Sequence, residues 1–190
     1  MGFIFKYSPI YDKQWCLALG EEYDPQILKR FPAYLQALKA VLGNEHRIFT
    51  LIETYTGLHW QDKHIPVYFV SCLPISGFSD PLTIRIHDDH LRVIETLIHE
   101  AIHVILVQNK DKTQDVFVKL RKTYPDETKS TRVHIIVNSV TDRVFRSIYG
   151  DDEADRIQQV TRTYKGLKRA YELLDRMELK DNILESIRNL

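Results

Sequence analysis

The chain has 190 residues, 26 basic and 26 acidic side chains, 8 His, 2 Cys and 44% hydrophobic residues. That length and apolar content suit a single domain with a real core, and a net charge of zero offers no global field for holding nucleic acid or an anionic membrane. Cys16 and Cys72 are too few for a disulfide framework and are read as ordinary thiols. The first residues lack a cleavable leader, and apolar runs such as Val104 to Val107 are too short to span a bilayer, so a soluble cytoplasmic protein is expected.

In chain order, Phe3, Phe5 and Tyr7 alternate with a period of two, which predicts a short strand ending before Pro9. Asp24-Pro25 reads as a helix start, with Leu28, Phe31, Tyr34, Leu35, Leu38 and Val41 at helical spacing and Gly43 as the stop. A second helix runs from Asn44 to Gly57. Pro66 to Ser71 is β-rich, and Pro74 to Pro81 is turn-prone. Leu82 to Ile86 then alternates as a strand with one buried face, expected near a sheet edge.

From Asp88 or Asp89 the period turns helical again. Val93, Ile94, Leu97, Ile98, Ala101, Ile102 and Ile105 leave little polar surface, so this helix is expected to be buried on most sides. A polar loop from Gln108 to about Thr113, a short helix to Arg121 and a turn at Tyr124-Pro125-Asp126 follow. Another core helix spans Val133 to Gly150, and the last forty residues read as two or three amphipathic helices.

Inside the buried helix lies His99-Glu100-Ala101-Ile102-His103. Residues four apart share a helix face, so both imidazoles can reach one Zn²⁺ at about 2.0–2.1 Å. Glu100 is offset around the helix, where it can take a proton from a metal-activated water without being a ligand. Two His and a Glu in so apolar a helix call for partners.

On these residues the sequence resembles a zincin, the class of zinc metallopeptidases built on such a helix. The likeness covers about Leu82 to Val107, including a strand just before the motif. It implies an α+β fold with a small twisted mixed sheet, then a mainly helical lobe, in one domain over 1–190 (sheet-containing lobe 1–107, helical lobe 108–190). It also implies one Zn²⁺ per chain, a peptide or protein substrate, and Thr83, Ile84 and Arg85 as a substrate-binding edge strand. The Gly and third His that follow the motif in metzincins are absent from Val104 to Asn109.

Only His134 follows as a histidine, with Asn138 on the same face one turn later. The pair resembles a substituted form of the thermolysin-like arrangement, in which a ligand on a later helix precedes a group that orients a zinc-bound His. Glu153 and Glu127 are the carboxylate alternatives, and Asp142 extends the His134 face. His87 and His90 flank Asp88-Asp89 and read as a capping cluster rather than a second metal site. Tyr149 and Tyr124 are the candidate oxyanion donors, Tyr149 foremost. A metallopeptidase with Glu100 as general base is the leading expectation. The alternatives are a non-peptidase zinc hydrolase and a catalytically silent binding module.

Overall fold

The computed structural model describes residues 1–177 and 182–189. It is an α+β protein whose described elements run β1 (Gly2–Tyr7), α1 (Pro9–Leu19), α2 (Ile27–Leu42), α3 (Glu45–Thr56), β2 (His64–Val70), β3 (Gly77–Ser79) and β4 (Leu82–Arg85). They continue with α4 (His90–Gln108), α5 (Lys110–Thr123), α6 (Lys129–Tyr149), α7 (Asp151–Thr161), α8 (Lys165–Leu174) and α9 (Ile183–Arg188). The chain divides into two compact units, one of residues 1–47 and 62–104, the other of 48–61 and 105–190. The segment 48–61, expected with the sheet, therefore belongs with the C-terminal helices.

The first unit holds one four-stranded sheet in the order β1-β2-β4-β3. β1, β2 and β4 run parallel, and β3 pairs antiparallel with β4, Gly77 facing Ile84 and Ser79 facing Leu82. Along β2, Ile65, Val67 and Phe69 are buried while His64 and Pro66 are exposed, the alternation expected of a strand. α1 begins at Ser8, whose hydroxyl accepts from the Tyr11 amide, with Pro9 in the first turn, where its missing N–H costs nothing.

Two expectations are corrected in this unit. β4 is not an edge: it lies between β2 and β3, and Thr83 and Ile84 are fully buried. The turn-prone stretch before it contains β3, which takes the outer place. The cysteines are not thiols: Cys16, in the last turns of α1, and Cys72, just past β2, form a disulfide with Cα atoms 4.9 Å apart. Their separation of 56 residues hid this, because the packing of α1 on β2 brings them together. Closing a loop of that size restricts the unfolded chain by about 4 kcal/mol in the chain-entropy model.

In the second unit α6 is the central described helix, with α5, α7, α8 and α9 against it or one another. Its Ile135, Ile136, Val137, Val140, Val144 and Phe145 are buried. Thr128 caps it, accepting from the Thr131 amide. No helix among the described residues is long and apolar enough to cross a membrane.

Candidate metal centre

α4 is set by its own cap. Asp89 Oδ1 accepts from the amides of Leu91 (3.1 Å) and Arg92 (3.3 Å), and His87 Nδ1 accepts from the Asp89 amide at 2.9 Å. His87 thus belongs to a helix start, as the sequence predicts. The ring of His90 meets Tyr34 edge-on at 5.2 Å. Val93, Ile94, Leu97, Ile98, Ala101, Ile102 and Ile105 then bury the helix.

Among these apolar residues α4 carries buried Glu95, Thr96, His99 and Glu100, with His103 half-buried. The rings of His99 and His103 lie 5.1 Å apart with their planes at 61°, one turn apart on one face. Burial, and then the charge of Glu95, push the Glu100 carboxyl from the usual carboxylate range up to about 8. Glu100 accepts no hydrogen bond among the described residues.

His134 sits one turn into α6, and its Nδ1 lies 2.8 Å from the Ser130 carbonyl. A carbonyl can only accept, so Nδ1 carries the proton and Nε2 the lone pair, the tautomer a metal needs. Burial lowers the His134 pKa, which also favours the neutral, ligating imidazole. An imidazole oriented by a carbonyl, like the pair on α4, is a donor of the kind zinc takes.

The carboxylate alternatives are engaged elsewhere. Glu153 takes Arg156 at 2.8 Å, and Glu127 takes Arg169 at 2.6 Å. Asp142 accepts from Arg146 at 2.8 Å and also from Gln158.

Asn138 and Tyr149 do not fill the roles expected of them. Asn138 is wholly buried, yet neither its Oδ1 nor its Nδ2 has a hydrogen-bond partner among the described residues. Among the described residues it therefore orients no His by a hydrogen bond, and the His134 ring is held by the Ser130 carbonyl. Thr141, one turn along, also has an unpartnered hydroxyl. Tyr149 ends α6, fifteen residues beyond His134, which at 1.5 Å per residue is about 22 Å along the helix. That is too far to stabilise an oxyanion near His134. Burial pushes its phenol up to about 12, and its ring packs on Phe145 at 4.7 Å.

β3 lies close against α4. A Cβ on Gly77 would stand 2.9 Å from Thr96 Cγ2 and 2.9 Å from the Thr83 carbonyl, so glycine is required there. Thr96 is one turn before Glu100. The sheet's outer strand on this side is therefore β3, whereas Arg85 of β4 donates its amide to Ser76 at 2.8 Å. Motif spacing alone does not reveal this, although Gly77 in a β-rich context is its signal.

No protein-family model, curated protein or solved structure matches this chain.

Proposed function

We propose that the chain is a zincin-like zinc metallopeptidase, holding one Zn²⁺ through His99, His103 and His134. The observation that carries this reading is the pair of imidazoles, His99 and His103, on one face of α4 beside the buried Glu100. Bound there, zinc supplies an acidified water, with a pKa of about 7, and a Lewis acid for the substrate carbonyl oxygen. Glu100 would act as the general base, taking a proton from a zinc-activated water and returning it to the departing amine. His134 keeps its ligating nitrogen in place through the Ser130 carbonyl. The apolar residues of α4 exclude bulk water around Glu100, which strengthens each electrostatic interaction there.

A second reading is favoured by the covered β4. An extended peptide finds no free edge along Thr83 to Arg85, and β3 offers only three residues. A compact non-peptide amide needs no such edge, and the same ligands and base would cleave it. The test is hydrolysis by the full chain of a mixed peptide pool and a panel of small amides, with and without a chelator. The proposal expects peptide cleavage that chelation abolishes and added Zn²⁺ restores. Cleavage of small amides alone would select the second reading. Zinc binding without either activity would leave a binding module.

A further inference from the structure

α1 is held to the sheet by little apolar surface. Of its 11 residues only Asp12 and Cys16 are buried. Ile10 and Leu17, at 77% and 61% exposure, turn their apolar groups to solvent. An isolated helix of this length is marginal in water, so α1 depends on what docks it. Tyr11 meets the Tyr68 ring edge-on at 5.9 Å, and its hydroxyl stands 3.2 Å from that of Thr83. Trp15 packs on Phe78 of β3 at 5.7 Å. Asp12 accepts from the Tyr7 hydroxyl at 2.8 Å and from the Ser71 amide at 2.7 Å. To these the Cys16–Cys72 disulfide adds a covalent tie.

The contacts differ in what they contribute against water. Tyr11 and Trp15 are only half-buried, so each removes limited apolar area from solvent. The partners of Asp12 are neutral, and the cost of burying its charge offsets much of what its hydrogen bonds contribute. When α1 lifts as a unit, Asp12 and the donors at Tyr7, Ser71 and Cys72 regain water together, and none is stranded. Removing Asp12 alone strands them. The disulfide is therefore the contact that decides whether α1 stays docked.

We infer that the Cys16–Cys72 disulfide is a reversible redox latch, a site for a dithiol reductant whose action frees α1 and loosens β3. A thiolate of the reductant attacks the Cys72 sulfur, at 5% exposure the more open of the two residues, and forms a mixed disulfide. Cys16 leaves as a thiolate and takes a proton. The reductant's second thiolate then attacks its partner sulfur, expels Cys72, which also takes a proton, and closes the reductant's own disulfide. Two hydrogens have passed to the chain, one on each Cys. Cys16 Sγ lies 4.0 Å from Asp12 Oδ1, so a thiolate held there faces a carboxylate. Protonation and departure of the helix both relieve that repulsion. With α1 undocked, Phe78 loses Trp15, and Cys72 no longer anchors the stretch that leads from β2 into β3. β3 is only three residues long, and its Gly77 lies against Thr96 of α4, so the latch acts beside the helix that carries His99. It does not depend on zinc being bound.

The test is amide hydrogen exchange of the full chain, read by mass spectrometry, before and after dithiothreitol treatment without denaturant. α1 and β3 are expected to exchange at least about tenfold faster once reduced, while α6 keeps its protection. Oxidised glutathione should return the slow rates. The double variant Cys16→Ser, Cys72→Ser should match the reduced chain with no reductant present. Far-ultraviolet circular dichroism checks its fold, and the reduced parent chain decides if that variant does not fold. Equal protection of α1 in both forms overturns the inference. Exchange that speeds to the same degree in α6 also overturns it, because the bond is then a general brace. A disulfide that dithiothreitol leaves intact in the folded chain does so as well.

Discussion

Asp12 and Glu100 are two buried carboxylates in the same unit, and the fold treats them in opposite ways. Asp12 is surrounded by donors from β1 and from the end of β2, so its oxygens tie Tyr7, Ser71 and Cys72 together. Glu100 accepts no hydrogen bond among the described residues, and burial, then the charge of Glu95, push its carboxyl up to about 8. A carboxylate saturated with donors fixes structure, whereas one left without them remains available for proton transfer. The contrast separates a residue that holds the fold from one that the proposed chemistry uses.

Substituting each of the two residues breaks the comparison most sharply. Glu100→Gln should lower kcat by roughly 10²–10⁴-fold with zinc content unchanged, because the lost function is proton transfer. Steady-state kinetics with elemental analysis on one preparation checks both halves. Asp12→Ala should do the reverse, leaving kcat per folded molecule unaltered. It should cost about 2–4 kcal/mol of stability, since buried donors at Ser71, Cys72 and Tyr7 lose their acceptor. The urea midpoint measures that loss, and an unshifted midpoint would remove Asp12 from its structural role.

Asn138 provides a third case, a buried polar side chain without partners. Asn138→Leu should leave stability unchanged or raise it by about 1–2 kcal/mol, because an unsatisfied amide is replaced by an apolar group. A destabilised variant in thermal unfolding would show that the amide has a partner in solution. The smallest effect belongs to exposed carboxylates. Hydrogen bonding to Arg188 holds Asp115 below the usual carboxylate range, and Arg162 does the same for Asp175. Their contribution is present above the unfolded value of about 3.9 and is lost as pH falls through the lower folded values. Exposed pairs of this kind give about 0–1 kcal/mol each, so Asp115→Asn should flatten the acid limb of stability only slightly.

The sequence was most legible where one residue type has one job. Gly43 and Gly57, both at positive φ, mark the ends of α2 and α3 where the helical pattern stops. The apolar period of α4 marked residues that are all buried, and the spacing of His99 and His103 placed both rings on one face. The start of α2 was read at Pro25 and lies at Ile27. α1 escaped notice because its apolar residues follow no clear face: Ile10 and Leu17 are exposed while Asp12 is buried. β3 has three residues, too few for any period to show. The disulfide and the covered β4 depend on which elements pack together, which no local pattern carries. Asn138 was legible as a position on the His134 face but not as an unpartnered amide, because that depends on what surrounds it.

The central claim is that His99, His103 and His134 hold one zinc together, and metal content tests it most directly. Elemental analysis of the oxidised full chain, beside His99→Gln, His103→Gln and His134→Gln, should find about one zinc in the parent chain. Each variant should retain well under half of that after dialysis against a weak chelator. A parent chain that binds no zinc, or a His134→Gln variant that keeps its full complement, would contradict the account.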